Sequence, residues 1–179
     1  MSEGVVMSYF LREICRSDIQ VINSWRNDRK IIDVLGASFR YIGEETDFNW
    51  FNNYLLNRLG TIRLAICNEV STTLIGSVYL LKIDWVNRSA EFAIWIGEKS
   101  NQGKGAGFFA ITETLIHAFN DLNLNRIYLT VLATNHRAIN LYKKIGFLED
   151  GRLRQAVFKN GCFVDMLQMS ILSSEFSKK

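Results

Sequence analysis

The sequence predicts an α/β fold of the α+β kind, in which a mixed and mostly antiparallel central sheet is flanked by about four helices. Three apolar, alternating segments separated by short turns indicate an antiparallel meander, at residues 62–66, 73–83 and 90–96. A helical pattern at residues 104–122 joins this meander to an apolar segment at residues 126–132, and a helical connection makes two neighbouring strands parallel. Asn160 and Gly161, which lie between two alternating runs, predict a C-terminal β-hairpin.

The N-terminal part predicts a strand followed by a helix. Residues 9–14 have the composition of a strand. Ser17 and Gln20 have the spacing of a capping box, which predicts that Ser17 is the N-cap of the first helix. The apolar stripe of this helix consists of Ile19, Ile22 and Trp25.

A loop and a second helix follow. Residues 31–43 have no clear periodicity and are predicted to form the loop. The helix is predicted from about Glu44 to Asn57, because acidic residues in its first turn favour the positive end of the helix dipole. Its apolar face is predicted to consist of Phe48, Phe51, Tyr54 and Leu55.

The remaining helices are predicted from their apolar stripes and their ends. The helix at residues 104–122 has a core-facing stripe that includes Phe108. The last helix has Asn135 as its N-cap, runs to Ile145 and stops at Gly146, a residue suited to the left-handed conformation of a helix end. Since no linker-like segment divides the chain, we expect one domain over residues 1–179.

Composition excludes several classes of function. A chain of 179 residues with 48% hydrophobic residues can bury a core, and its net charge of +3, with both signs interspersed, lacks the footprint of a nucleic-acid binder. Cys15, Cys67 and Cys162 are odd in number and form no Cys-x-x-Cys pair, which predicts reduced core thiols in a cytoplasmic protein. No apolar run is long enough to cross a membrane, and the start has no signal-peptide pattern, so we expect no membrane association.

A glycine-rich stretch at residues 102–107 is the main functional signal. It lies between the predicted strand at residues 90–96 and the predicted helix at residues 104–122. Such a turn presents backbone N–H groups at the positive end of a helix dipole, which makes an anion site whose expected guest is a pyrophosphate. The spacing matches neither a Walker loop nor a dinucleotide fingerprint. The residues of the stretch are Gln102, Gly103, Lys104, Gly105, Ala106 and Gly107.

Two motifs resemble the GNAT superfamily of N-acetyltransferases. Residues 102–107 resemble its acetyl-CoA pyrophosphate loop, Gln/Arg-x-x-Gly-x-Gly/Ala. Residues 135–147 resemble its late helix, Asn-x-x-Ala-x-x-Leu/Phe-Tyr-x-x-x-Gly-Phe. The resemblance covers about residues 10–171 and is greatest for the branch of ribosomal-protein N-terminal, spermidine and amino-sugar acetyltransferases. It implies a GNAT fold and acetyl-CoA as co-substrate, without a metal.

The resemblance also implies a set of residues that bind acetyl-CoA. Residues 102–107 would bind the pyrophosphate, and the strand end at Ile94, Trp95 and Ile96 would pair with the pantetheine arm as an added strand does. Asn135 and Lys144 of the second motif are further cofactor candidates, although Asn135 needs no role beyond helix capping.

Two residues are candidates for catalysis. A lysine-like amine is mostly protonated at pH 7, and presenting it neutral costs roughly 4 to 5 kcal/mol, so a base is needed. Glu91 interrupts an apolar strand and is the candidate base; alternatively it pairs with Arg88 or Lys82 on a solvated face. Tyr142 is the candidate acid for the departing thiolate, as the matching tyrosine is in the family; alternatively it only packs in the core.

The acceptor is the least determined part of the prediction. Acids and bases are equal in number between residues 16 and 60, six of each, whereas a polyamine pocket should favour acids. Trp25, Arg26 and Trp50 offer aromatic faces and a guanidinium, which suit an amino-sugar nucleotide. The alternatives are a peptide N-terminus, a polyamine, and an acyl-CoA-binding module without turnover. The sequence leaves the oligomeric state open, with a homodimer as one option.

Overall fold

The central sheet has seven strands in the order β1-β2-β3-β4-β5-β7-β6, in a computed structural model that describes residues 8–176. The strands are β1 Tyr9–Glu13, β2 Ile62–Asn68, β3 Leu74–Asp84, β4 Ser89–Ile96, β5 Arg126–Leu132, β6 Leu148–Lys159 and β7 Cys162–Leu172. Neighbours are antiparallel except for β4 and β5, which are parallel. The predicted mixed, mostly antiparallel sheet is therefore confirmed, as is the hairpin turn at Asn160 and Gly161, which both have positive φ.

Helices cover both faces of the sheet. They are α1 Ile19–Arg26, α2 Arg29–Ile32, α3 Glu44–Leu56, α4 Ala106–Ile116 and α5 His136–Ile145. The helices α1 and α3 pack on one face, over a core that includes Ile22, Phe51 and Ala65. The helices α4 and α5 pack on the other face, over a larger core that includes Phe92 and Ile111.

The first helix begins differently from the prediction. The Ser17–Gln20 capping box is wrong, because a 3₁₀ turn at Arg16–Asp18 precedes α1. The Asp18 carboxylate accepts the N–H of Cys15 at 2.8 Å and two hydrogen bonds from the Arg12 guanidinium at 2.7 Å each. This ion pair with a residue of β1, and not Ser17, fixes the start of the helix. The predicted stripe of Ile19, Ile22 and Trp25 is buried, as expected.

Other corrections concern element ends and exposed side chains. Residues 31 and 32, predicted as loop, belong to the short α2, whose N-cap Asp28 accepts the Lys30 N–H at 2.8 Å. The helix expected at residues 104–122 begins at Ala106, because Gly105 is left-handed, and it ends in a π-helical turn at His117–Asp121. Leu55 and Phe108, predicted to face the core, are 45% and 43% exposed.

The three cysteines are all free, but they differ in burial. Cys67 is buried, whereas Cys15 and Cys162 are exposed, so the expectation of core thiols holds for Cys67 alone. Among residues 8–176, no helix has the length and apolar character needed to span a bilayer.

The parallel strands β4 and β5 separate soon after they begin. They pair only at Ser89↔Arg126, Ala90↔Ile127 and Glu91↔Tyr128. The strand β4 then continues to Ile96 on its pairing with β3, while β5 continues to Leu132 on its pairing with β7. The sheet is therefore split beyond Glu91, and the split gives β4 a backbone edge that no strand of the described chain covers.

Candidate active site

A cleft of about 1120 Å³ opens where β4 and β5 separate. It runs from the start of α4 to the side of the sheet covered by α1 and α3. Most of the residues predicted from the sequence to bind the cofactor or to act in catalysis line it: Glu91, Ile94, Trp95, Ile96, Gln102, Gly103, Gly105, Gly107, Asn135, Tyr142 and Lys144. The fold thus brings the two sequence motifs and the strand end together at one site.

The glycine-rich stretch forms the turn that leads into α4. Gly103 and Gly105 have φ of 80° and 92°, a region in which a side chain is strained. Among the described residues, the amides of Gly103, Lys104 and Gly105 donate no hydrogen bond to another backbone group. Together with the first amides of α4 they form a set of free donors at a helix N-terminus, which fits a pyrophosphate. Gln102 holds the turn to β4 by donating from Nε2 to the Ile96 oxygen at 3.1 Å.

Two of the predicted loop residues lie outside the cleft. Lys104 borders a smaller hollow beside Tyr9, whose hydroxyl donates to the Lys104 carbonyl at 2.9 Å. Ala106 is 1% exposed and packs in the core. Neither side chain lines the cleft, so only their backbone amides are placed to take part in anion binding.

Arg137 is a cofactor-side residue that the sequence analysis missed. A Cβ placed on Gly103 would lie 3.3 Å from the Arg137 guanidinium nitrogen, so this side chain lies against the glycine turn. It also lines the cleft, as does Lys144, which lies 5.4 Å from the Phe108 ring centroid. Arg137 lies two positions after Asn135, the N-cap in the motif at residues 135–147. A base at that position, at the start of a helix in a cofactor motif, was the sequence signal that could have identified it. The two cations add positive charge to the end of the cleft at the glycine turn.

Asn135 caps α5 as predicted and also holds a loop. Its Oδ1 accepts the Ala138 N–H at 3.1 Å, and its Nδ2 donates to the Val34 oxygen at 3.0 Å. A second clamp on the same loop comes from the C-terminal hairpin, where the buried Lys159 ammonium donates to the Ile32 and Ala37 oxygens at 2.6 Å each. Residues 32–37 therefore form a fixed wall of the cleft.

Glu91 lies at the last register pair before the split. Its carboxylate is 2.7 Å from the Lys82 ammonium, and its side chain is 24% exposed. Lys82 has a φ of 49° at an irregularity in the β3–β4 register. The sequence offered an ion pair with Lys82 as an alternative role for Glu91, and the structure has that pair. Glu91 also lines the cleft.

Tyr142 projects from α5 to the inner end of the cleft. Its ring is 5.6 Å from the Phe147 ring and 6.5 Å from the Phe92 ring, and the residue is 8% exposed. Burial raises the pKa of Tyr142 to about 12. Within residues 8–176 its hydroxyl makes no hydrogen bond, which leaves a protonated donor in the cleft.

The three predicted acceptor residues are placed differently from one another. Trp25 does not line the cleft: it is 8% exposed and packs edge-on against Trp95, and the absence of a side chain at Gly97 makes room for it. Arg26 lines the cleft and pairs with the buried Asp47, which also accepts from Asn23 at 2.7 Å. Trp50 lines the cleft as predicted.

Arg63 is a cleft residue on the acceptor side that the sequence analysis did not single out. Its guanidinium carbon lies 4.8 Å from the ring centroids of both Trp50 and Tyr79. Burial lowers the pKa of Arg63. The available signal was a single base within an apolar strand, but its neighbours come from α3 and β3, which no local pattern relates to it. Residues 8–176 contain no cluster of His, Cys, Asp or Glu that could hold a metal.

An uncovered strand edge next to a glycine turn at a helix start is suited to an extended ligand that ends in a pyrophosphate, as CoA does. A family profile described as an acetyltransferase (GNAT) domain matches residues 9–148. The chain therefore belongs to the GNAT acetyltransferase family, and it is an acetyl-CoA-dependent N-acetyltransferase. The fold implied by the sequence motifs is confirmed.

Known relatives cover most of the chain. The spermidine N(1)-acetyltransferase of Vibrio cholerae serotype O1 is 33% identical over 166 residues, which are 93% of this chain and 94% of that protein. The ribosomal-protein-serine acetyltransferase of Escherichia coli K12 is 26% identical over 133 residues, which are 74% and 73% of the two chains. A crystal structure of the Vibrio cholerae spermidine N-acetyltransferase in complex with CoA and spermine superposes with a TM-score of 0.87 at 33% identity, over 93% of this chain and 96% of that one.

Proposed function

We propose that this protein transfers an acetyl group from acetyl-CoA directly to a primary amine of a small molecule. The observation that carries the proposal is the split between β4 and β5, which opens a cleft from the pyrophosphate turn to Glu91 and Tyr142. The amine nitrogen forms the new bond to the acetyl carbon as the bond from that carbon to sulfur breaks. The residues of the cleft supply the two proton transfers that this exchange requires.

Glu91 accepts the proton that the amine loses, directly or through a water molecule. Its place at the mouth of the split supports this role, and the Lys82 ammonium at 2.7 Å holds its carboxylate in position. Tyr142 donates a proton to the departing sulfur, a role supported by its place in the cleft and by a hydroxyl that has no other hydrogen-bond partner within residues 8–176. The amides of residues 103–107, with Arg137 and Lys144, bind the pyrophosphate end.

The names of the relatives favour a polyamine acceptor. The sequence analysis ranked an amino-sugar nucleotide first and a polyamine among the alternatives. The relatives named as spermidine acetyltransferases, one of them 33% identical over 93% of the chain, support the polyamine alternative better than the first choice. A polyamine is therefore the acceptor to be tested first.

The charge of the cleft favours the second candidate, an amine that carries anionic groups. The only acid that lines the cleft is Glu91, among the described residues, and it is paired with Lys82. The acceptor side presents Arg26, Lys30 and Arg63 beside Trp50. Basic and aromatic side chains bind phosphates and bases rather than polycations, and this observation keeps an amino-sugar nucleotide as a candidate.

The experiment is a measurement of thiol release from acetyl-CoA with three acceptors: spermidine, an amino-sugar nucleotide and a peptide with an N-terminal serine. We expect turnover with a small-molecule amine and little with the peptide. Release with the peptide alone would replace the small-molecule proposal by protein N-terminal acetylation. No release with any acceptor, together with CoA binding in calorimetry, would support an acyl-CoA-binding module instead. Light scattering of the same preparation determines the oligomeric state, for which the sequence gives a homodimer as one option.

A further inference from the structure

We infer that Arg63 binds a carboxylate or phosphate group of the acceptor, so that the acceptor is an amine bearing an oxyanion. The inference rests on the proposed function, and it selects the second candidate acceptor, an amine that carries anionic groups, over a polyamine. It begins from an unsatisfied group: the Nε of Arg63 is buried and has no hydrogen-bond partner. Within residues 8–176, the guanidinium takes part in no hydrogen bond or ion pair.

Aromatic packing accounts for the position of the guanidinium but not for its donors. The rings of Trp50 and Tyr79 lie 4.8 Å from its carbon, and the ring of Tyr54 lies 5.7 Å away. Stacking of this kind stabilises the cation. It leaves the buried Nε–H without an acceptor, and a charged donor that is buried unpaired is costly. The planar guanidinium fork matches an oxyanion in two parallel hydrogen bonds.

Three other cations near the acceptor side are already neutralised, and a fourth, Lys30, is exposed to solvent. Arg26 pairs with Asp47, Lys99 pairs with Asp28 at 2.8 Å, and Lys82 pairs with Glu91. On the opposite side, Arg137 and Lys144 lie near the pyrophosphate turn, where CoA itself supplies negative charge. Arg63 lacks a counter-ion from either source, and the acceptor is the substrate left to supply one.

The sheet register places Arg63 on the acceptor side and within reach of the reacting amine. Arg63 pairs with Tyr79, and Tyr79 pairs with Ala93, so the three share one face of the sheet. Glu91 is two residues before Ala93 on β4 and therefore lies on the same face. Two strand spacings and one two-residue step separate the backbones of Arg63 and Glu91 by about 12 Å. An arginine side chain and a short acceptor together span that distance.

Matched pairs of acceptors test the inference. Lysine differs from cadaverine by one carboxylate, and glucosamine 6-phosphate differs from glucosamine by one phosphate. We expect the wild-type protein to favour the member that bears the carboxylate or phosphate, in at least one pair, at least tenfold in kcat/KM and mainly through KM. The pair that shows the preference identifies the oxyanion. Equal kcat/KM values within both pairs, or a preference for the member without the oxyanion in both, would overturn the inference.

Variants locate the preference at Arg63. Arg63→Gln should lower the preference at least tenfold, measured as the kcat/KM of the member with the oxyanion divided by that of the member without it. Arg63→Lys should retain part of the preference, because the charge remains without the fork. Arg58→Gln is the matched control, since Arg58 also lies over Tyr54, at 5.9 Å, but pairs with Glu13 and does not line the cleft. It should leave the ratio unchanged. A ratio unaffected by Arg63→Gln would refute the inference.

A binding measurement separates this inference from the proposed function. Calorimetry of the CoA-saturated protein with lysine and with glucosamine 6-phosphate needs no turnover. If no acceptor releases thiol but binding of one of them is weakened at least tenfold by Arg63→Gln, the proposed function fails and the inference holds. If spermidine is turned over and neither lysine nor glucosamine 6-phosphate binds, the proposed function holds and the inference fails. If Arg63→Gln does not fold, the inference is decided by the kcat/KM ratios of the wild-type protein and of Arg63→Lys within the two acceptor pairs.

Discussion

At the scale of single residues, Tyr142 combines a ring packed in the core with a hydroxyl at the cleft. Its ring contacts Phe92 and Phe147 in the core, and its hydroxyl faces the cleft. Burial that stabilises the ring also disfavours the phenolate, so the pKa rises to about 12 and the proton is retained. The packing considered from the sequence is present, and the role as an acid is the part that experiment decides.

Replacement of Tyr142 by phenylalanine should lower kcat by about 100-fold or more, the range of general acid catalysis. The affinity for acetyl-CoA should change little, because the ring remains in place between its neighbours. Steady-state kinetics and calorimetry with CoA measure the two quantities. An unaltered kcat would leave Tyr142 with packing alone.

Replacement of Glu91 by glutamine should lower kcat by about 100-fold and move the acidic limb of the kcat/KM profile against pH. The reason is that the amide cannot accept the proton of the amine. Lys82→Met is the control, since it removes the counter-ion 2.7 Å away and keeps the carboxylate. If the profile of Glu91→Gln stays where the wild-type profile lies, Glu91 is only the partner of Lys82.

At the scale of elements, the turn before α4 requires glycine for its backbone. Gly105 has φ of 92° and precedes the first helical residue, Ala106. A Cβ added there would meet no atom within 4 Å, so a substitution costs backbone strain and not a clash. The conformation of the turn, and with it the direction of its free amides, depends on that residue.

Gly105→Ala should therefore raise the Kd for CoA several-fold, with a loss of about 1 to 2 kcal/mol in the free energy of unfolding. Gly43→Ala is a suitable control, because Gly43 also precedes a helix and has open space around it, but its φ is −71°. Calorimetry and chemical denaturation compare the two variants. Equal CoA affinity in both would show that the turn does not depend on Gly105.

Local signals in the sequence predicted the elements whose causes are local. The Asn135 cap, the stop at Gly146 and the Asn160-Gly161 turn each depend on a few adjacent residues, and the structure has all three. The errors arose where a residue of another element decides. The start of α1 depends on Arg12 of β1, and Trp25 packs in the space left by Gly97 and does not line the cleft.

At the scale of the whole molecule, the split sheet connects two helical layers. The layer of α4 and α5 carries the glycine turn at residues 102–107 and Tyr142. The layer of α1 and α3 carries Arg26 and Trp50. The two motifs predicted from the sequence lie in the first layer, in which each is a continuous segment. The acceptor side is assembled from separate segments, for example Trp50 of α3 beside Arg63 of β2, and for that reason the sequence left it undetermined.

The stability of the whole molecule should fall at alkaline pH. A tyrosine whose pKa is raised in the fold contributes stability below the pKa of about 10 of the unfolded chain, and this contribution is lost as pH rises through about 12. For Tyr142 the loss is roughly 2 to 3 kcal/mol. Denaturant unfolding at pH 8 and pH 11 should show a smaller decrease for Tyr142→Phe than for the wild type. An identical decrease would mean that the Tyr142 phenol titrates in the fold as it does in the unfolded chain.

The two hydrogen bonds of the Lys159 ammonium link the C-terminal hairpin to a wall of the cleft. Residues 32–37 border the cleft, and they are tied to the tip of the β6–β7 hairpin as well as to Asn135. A graft of this hairpin tip from another family member would therefore change the cleft wall through position 159, although Asn160, Gly161 and Cys162 do not line the cleft. The C-terminal hairpin is in this way a support of that wall.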